Sequence, residues 1–414
     1  VLPENAWKDF PQLAQKIQGR SYSYLDSAAT TLKPWPVLEA VSKFLTSDVA
    51  NVHRGAYRLS DNVTESFESV RTQVSQWIGS QDPRQIIFTK GATESINLVS
   101  NSFRNLEYKK GDAIVVTQLE HHSNFVPWQQ LCQEKGIDFL VVPVNDQGVL
   151  DLDKYEEFLK NYRVRLVSVT LMSNVLGVIT DIQTIIQLAH KHGALVLGDA
   201  AQLISFQAID VKKWDIDFLV FSGHKLFAPY GLGVLYGKFD VLNQISCYQF
   251  GGSMVLKVTQ SQTQFQELPY RLEAGTPNIE GVIGLGAAIS YLNKFDRSQM
   301  IEHEMGLHNL LIQELNLISE IKIFAHHLWQ ANDNQKGPVV SFILKGVHSS
   351  DVAQILNQEN VFVRSGVHCA QPLAERLELI KCGGSIRASI SVYSQKKDIE
   401  KLISAIYKAK EILL

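Results

Sequence analysis

Between about residue 85 and residue 237 the chain alternates short β-rich runs with helical patterns. IIFT precedes ESINLVSNSF, AIVVT precedes FVPWQQLCQEKG, RLVSVT precedes DIQTIIQLAHKHG, and ALVLGDA, DFLVF and GLGVLYG complete the series. Parallel neighbours need long crossovers, so this order predicts an α/β fold with a mostly parallel sheet covered by helices. Ligands on such sheets bind beyond the carboxyl ends of the strands. Chemically suggestive groups fall at those ends: Thr89 to Thr93, Glu120 to Asn124, Asn174, Asp199 to Gln202, and Ser222 to Lys225. The pattern therefore predicts one site that collects them.

From about residue 280 the rhythm changes. GVIGLGAAISYLNKF and EMGLHNLLIQELNLI read as helices, and short strands follow at VVSFIL, VFVRSG and SIRASIS. A smaller α+β domain is expected over 291–414, after a large domain over 21–290 and an N-terminal segment over 1–20 that packs with the small domain. The last helix, KKDIEKLISAIYKAKEILL, spaces Ile399, Leu402, Ile403 and Ile406 for one buried face. At 414 residues, 45% apolar and 20% charged, the chain can bury a large core. Its 39 basic and 42 acidic residues give a net charge of −3, which argues against a nucleic-acid partner. No run reaches the length of a membrane span, and VLPENAWKDFPQLAQKI lacks the pattern of a secretion signal. A soluble, cytoplasmic protein is expected. The four cysteines, Cys132, Cys247, Cys369 and Cys382, form no CxxC pair, so neither a disulfide framework nor a metal site is signalled.

Lys225 stands between an apolar strand and a glycine-rich turn. Partial desolvation would leave it a free amine suited to a Schiff base; a lysine reaching out to water is the plain alternative. KGATESINL puts Gly91, Ala92 and Thr93 at a helix start, either an ordinary cap or a phosphate site. Asp199 follows a buried strand and needs a cation or water. Pyridoxal phosphate asks for a lysine, a carboxylate facing its ring nitrogen, phosphate donors and a face for its ring. Lys225, Asp199, the Gly91 to Thr93 turn with Ser222 and His224, and an imidazole from EHHSN supply that set. In RSGVHCAQP, Cys369 sits on a loop beside His368 and near Arg364, as a reactive thiolate or a structural residue. Cys382 in KCGG is its rival. Arg387 in SIRAS suits a bidentate bond to an amino-acid carboxylate.

Taken together, YLDSAATTLKP, NVHRGAY, GATESIN, EHHSNFVPW, MSNVLG, DAAQ, SGHKLFAPYGLGVLYG, LEAGTPN, RSGVHCAQP and IRAS resemble the cysteine desulfurases, in particular the group of SUF-type and CSD-type enzymes and selenocysteine lyases. RSGVHCAQPL is most similar to the CSD type. The resemblance implies the aminotransferase-like fold of pyridoxal-phosphate enzymes (fold type I), a homodimer, and conversion of L-cysteine to L-alanine with the sulfur held as a persulfide for a small acceptor protein of the SufE type. Iron-sulfur cluster assembly is one use of that sulfur. Selenocysteine and cysteine sulfinate are alternative substrates, and an aminotransferase or β-lyase is a further alternative. By the same resemblance, Lys225 is the Schiff-base lysine, Asp199 the partner of the pyridine nitrogen and His122 the stacked imidazole. Gln202 and Asn174 lie near the cofactor oxygen and the substrate, while Ala92, Thr93, Ser222 and His224 hold the phosphate. Thr276 contributes from the other subunit. Cys369 carries the persulfide, Arg387 binds the substrate carboxylate with Asn174, Arg364 and His53 also binding substrate, and Arg54 stands with His53 at the site mouth. Tyr393, Ser394 and Gln395 depart from the Tyr-Asn-Thr of many relatives, with Ser394 expected to cap the last helix.

Overall fold

The computed structural model describes residues 3–326 and 335–414. All six expected strands of the large region form: β1 (Ile86–Thr89), β2 (Asp112–Thr117), β4 (Arg163–Thr170), β5 (Leu195–Asp199), β6 (Phe218–Ser222) and β7 (Gly233–Gly237). A further strand, β3 (Asp138–Val142), extends the edge beside β2. The seven-stranded sheet runs β1-β7-β6-β5-β4-β2-β3. Every pairing is parallel except those of β7, which is antiparallel to both β1 and β6.

Successive side chains leave a strand on opposite faces, and here both faces are covered. Ile87, Ile114, Val116, Leu197, Val220 and Leu235 pack under α2 (Ala92–Arg104) and α3 (His122–Lys135), against Val99, Phe103 and Trp128. Val115, Val167, Val196, Leu219 and Val234 face the other way, toward α1 (Arg58–Trp77) and α4 (Ile279–Leu292). That two-sided burial explains why the strands read as continuous apolar runs rather than as alternation.

A second sheet follows α5 (Arg297–Asn316). Its strands are β8 (Ile321–Ile323), β9 (Val339–Leu344), β10 (Arg364–Gly366) and β11 (Ser385–Ser389), in the order β8-β9-β11-β10 and all antiparallel. Phe342, Ile386 and Ala388 share a separate core with Leu311, Val352, Ile399, Leu402 and Ile406. The apolar stripe of α6 (Lys396–Leu413) is therefore buried as its spacing predicts. Its cap differs from expectation. Ser394 Oγ accepts from the Ser391 amide instead, and Gln395 caps the helix through a reciprocal box with Asp398, whose carboxylate accepts the Gln395 N–H at 2.8 Å. The N-terminal segment reaches further than the small domain. Phe10 is buried with ring centres 5.9 Å from Phe227, 6.0 Å from Tyr291 and 4.6 Å from Tyr393, so it joins the larger core.

Candidate active site

Strand register brings the expected ends together. Gly233 of β7 pairs with Thr89 on one side and Ser222 on the other, and Asp199 pairs with Thr170. Beyond this row lies a cavity of about 180 Å³, whose wall includes Ala92, Thr93, Asn174, Asp199, Gln202, Ser222, His224, Lys225, Arg364 and Arg387. The turn Gly223–Lys225 carries Lys225 directly off the end of β6. Burial, reinforced by Arg387 and Arg364, lowers its ammonium to about 8, although Asp199 works in the opposite direction. Asp199 is 3% exposed, and burial raises its carboxyl above the usual range. Its Oδ1 accepts the Ala201 amide at 2.9 Å, and among the described residues no cation pairs with it within salt-bridge range. A buried carboxylate in that state suits a cationic ring nitrogen.

The opposite end of the cavity suits an anion. Gly91 caps α2, and the amide of Ala92 points at Ser222 Oγ, 2.8 Å away. His224 Nδ1 is buried without a partner. Burial, with Lys225 and Lys33 nearby, lowers this imidazole to about 4, so its ring is neutral and free to donate or accept. A helix N-terminus, a hydroxyl and an unsatisfied buried nitrogen together fit a phosphate. Gln202 Nε2 donates to Ala28 O at 2.8 Å, which holds the Asp26 to Ala29 turn against the wall.

The two histidines of EHHSN separate. His121 is the N-cap of α3, in an extended conformation, and its ring lines the cavity. Its Nδ1 accepts the Ser123 amide at 3.1 Å, and burial together with Lys225 lowers it to about 4. His122, the residue expected to face the ring, begins the helix and turns away from the cavity: its Nε2 accepts the Gln371 amide at 3.0 Å. Below them Glu120 is fully buried, pushed up to about 8 by burial, and accepts from Thr117 Oγ1 (2.6 Å), the Thr170 amide (3.0 Å) and Asn124 Nδ2 (2.6 Å).

The small sheet supplies the third wall. Arg364 and Arg387 stand directly opposite each other on β10 and β11, where like charges repel unless an anion joins them. Arg387 donates to Asp26 Oδ1 at 2.9 Å and to Asn174 O at 3.0 Å, leaving its buried Nε without a partner. Arg364 Nη2 lies 3.7 Å from Cys369 Sγ. His368 and Cys369 are both left-handed, with φ of 53° and 56°, which folds the loop tightly toward the site. Three bonds fasten it: Asn174 Nδ2 donates to His368 O (2.7 Å), the His122 amide donates to Cys369 O (2.7 Å), and His368 Nε2 meets Ser385 O (3.1 Å). His368 is lowered to about 3 by burial and the two arginines, so it is neutral and lends the thiol no charge. Arg364 is the cation beside Cys369. Cys382, the rival, sits away from the cavity with its thiol toward Leu379 O (3.2 Å).

Two expected residues are not brought in, and Thr276, expected from the other subunit, lies outside its own chain's cavity. His53 pairs with Glu68 (2.8 Å) beside Phe67 and Tyr270, and Arg54 donates to Val255 O (2.9 Å). Thr276 lines a separate groove with Lys90, Glu94 and Tyr248. Two contributors went unread in the sequence: Asp26, whose bond to Arg387 spans 361 positions, and Lys33, lowered by burial to about 8 and held against Thr31 O and His224 O (3.3 Å).

Comparison with known proteins gives one consistent result. The profile of the aminotransferase class-V family matches residues 23–402. A protein of Vibrio cholerae named probable cysteine desulfurase is 40% identical over 98% of this chain and 97% of its own length. A cysteine desulfurase of Synechococcus elongatus is 41% identical over 96% of this chain, which spans only 62% of that longer protein. Among solved structures, the cysteine desulfurase CsdA from Escherichia coli, with an S-sulfonic acid, superposes with a TM-score of 0.89 at 36% identity over the whole of both chains.

Proposed function

The chain belongs to the aminotransferase class-V family and, within it, to the cysteine desulfurases, and from that premise we propose that it is a pyridoxal-phosphate enzyme that converts L-cysteine to L-alanine and holds the sulfur on Cys369. The observation that carries this reading is the fastened Cys369 loop, which sets a thiol beside Arg364 at the edge of a cavity containing Lys225 and Asp199. An aminotransferase would need the lysine and the aspartate but not the thiol.

The site fits the cofactor on the grounds already given: an unpaired buried carboxylate at one end and an unsatisfied imidazole with a helix start at the other. Lys225 would hold its aldehyde, Asp199 its ring nitrogen, His121 one face of its ring, and Ala92, Thr93, Ser222 and His224 its phosphate, with Thr276 added by a partner subunit. When bound, it supplies an electron sink for charge developing on the substrate's α-carbon.

The chain's own residues do the rest. Arg387 takes the substrate carboxylate through its free Nε, with Asn174 beside it. Lys225, lowered to about 8, has an appreciable neutral fraction near pH 7 and takes the Cα proton as a general base. Neutral His121 leaves the cavity's charge balance to Lys225, Asp199, Arg364 and Arg387. Cys369, as a thiolate beside Arg364, attacks the substrate sulfur: the S–S bond forms, the Cβ–S bond breaks, the thiol proton stays with the outer sulfur, and the carbon fragment takes up one proton at Cβ and regains the Cα proton from Lys225 to leave as L-alanine. A second thiol, on a small acceptor protein, then removes the outer sulfur. Four unpaired cysteines suit a reducing compartment such as the cytoplasm. Among the described residues no helix is long and apolar enough to cross a membrane.

The test is alanine release from L-cysteine with a thiol acceptor present. The wild type should produce alanine and Cys369→Ala should lose at least about 100-fold, the scale of a removed nucleophile or general base. Equal rates would move the sulfur to Cys382 or to direct elimination, and no alanine from either protein would sink the cysteine substrate.

A further inference from the structure

Ala28, Ala201, Gln202 and Lys225 line two cavities at once. In front is the site described above. Behind lies a smaller chamber of about 30 Å³, walled by Ser27, Thr31, Ser205, Ser389, Ser391 and Glu304. An ordered water needs about 10–15 Å³ of such space and two to four polar partners, and the hydroxyls here provide them. Glu304 is 5% exposed on α5, and its carboxyl accepts the backbone N–H of Val392. Nothing in the front cavity requires it.

A lysine that acts first as an amine and then as a base has to lose and regain protons while substrate and cofactor fill the space in front of it. The front imidazoles, His121 and His224, are both lowered to about 4 by burial and by Lys225, so they hold a proton far less readily than the Lys225 amine does. The rear chamber gives Lys225 a second polar neighbourhood, and it holds the carboxyl of Glu304.

We propose that Glu304 is the proton-holding partner of Lys225, exchanging one proton with its amine through water in the rear chamber while the front cavity is occupied. The exchange balances: the ammonium of Lys225 gives up one proton, the carboxylate of Glu304 gains it, and both groups become neutral, which a buried setting favours. Burial pushes Glu304 up to about 8, against the pull of Arg297 two turns earlier on the same face of α5, and lowers Lys225 to about 8. Two groups of nearly equal proton affinity pass a proton either way at little cost. The titratable groups around Glu304 are Arg297 on its own helix, Tyr393 from the segment before α6, and Lys225 across the chamber. Those around Lys225 are Asp199, Arg387, Arg364, Cys369, His121 and His224.

The inference rests on the proposed function, and its test separates the two. Glu304→Gln keeps the shape and an acceptor for the Val392 amide but cannot take up a proton. In the enzyme loaded with pyridoxal phosphate, two curves are followed against pH: the visible absorbance of the bound cofactor, and kcat for alanine release. Because Glu304 must be ionised to accept from Lys225, the wild-type kcat should fall as pH drops through its ionisation. In E304Q that limb should vanish, with kcat about ten-fold lower on the plateau, less than the ~100-fold of a group meeting the reacting atoms directly. The absorbance titration should lose one ionisation. Superimposable curves, or a loss of kcat that is the same at every pH, would overturn the relay and leave Glu304 a packing residue. If E304Q fails to load the cofactor, Glu304→Asp carries the test: the limb should be displaced but retained, and an unmoved profile overturns the proposal. If the wild type releases no alanine, the desulfurase reading fails, while the absorbance titration still decides the relay.

Discussion

His121 and His122 are adjacent in sequence and opposite in role. One caps α3 from an extended conformation and faces the cavity; the other has helical geometry and accepts a backbone amide from Gln371. A helix boundary uncertain by one residue is enough to exchange them, so EHHSN promises an imidazole without saying which, and it is His121 rather than the expected His122 that lines the cavity. We expect His121→Ala to alter the visible spectrum of the bound cofactor and lower kcat about 100-fold, as for a group in contact with the reacting system. His122→Ala should leave the spectrum unchanged and cost less than about 10-fold, through the Gln371 contact. Identical effects of the two substitutions would sink the distinction. The same scale explains why Asp26 went unread. Its bond to Arg387 joins the two ends of the chain, and no local pattern marks a partner so distant in sequence. Lys225, Asp199 and Cys369 were legible because each stands at a strand end or on a loop framed by glycine and proline, where chemistry is exposed by default.

Among elements, the contact of β7 with the start of α2 decides how closely an anion can approach. A Cβ built on Gly233 would stand 2.4 Å from Gly91 Cα and 2.6 Å from Gly91 N. No such contact is tolerable, so Gly233→Ala must push the helix start away from Ser222. Overpacking of this kind costs about 1–3 kcal/mol. Pyridoxal phosphate should therefore bind about ten-fold or more weakly to G233A, measured by fluorescence titration of the cofactor-free protein. Unchanged affinity would show that the helix start does not hold the phosphate. Strand identities were readable because two-sided burial gives unbroken apolar runs. The antiparallel hand of β7 follows from the short, glycine-rich link after Lys225, which is too brief for a crossover. The short β8 went unread because it has only three residues, and the edge strand β3 is buried only in part, unlike the inner strands.

On the scale of the whole molecule, a band of apolar side chains lies open. Tyr230 is 64% exposed, Phe250 70%, Leu256 66% and Val258 61%, most of them on or beside the hairpin that Arg54 contacts. Thr276 lies in the neighbouring groove rather than in its own chain's cavity. Both facts support a homodimer in which each chain completes the other's site. The chain should sediment as a dimer, and Leu256→Glu should shift it toward monomer while weakening cofactor binding in parallel. A monomeric wild type with full activity would remove Thr276 from the site. In the sequence, the homodimer and the place of Thr276 come from the resemblance alone, since no local pattern within one chain marks a contact between two.

The Cys369 loop is tied down by Asn174, His122 and Ser385 at once. A thiol so tethered is a fixed jetty rather than a swinging arm. Under the proposed function, sulfur held there would not be carried to a distant receiver without undoing the contact with the first turn of α3. Delivery would then fall to the visitor: a receiver would have to bring its own thiol to Cys369.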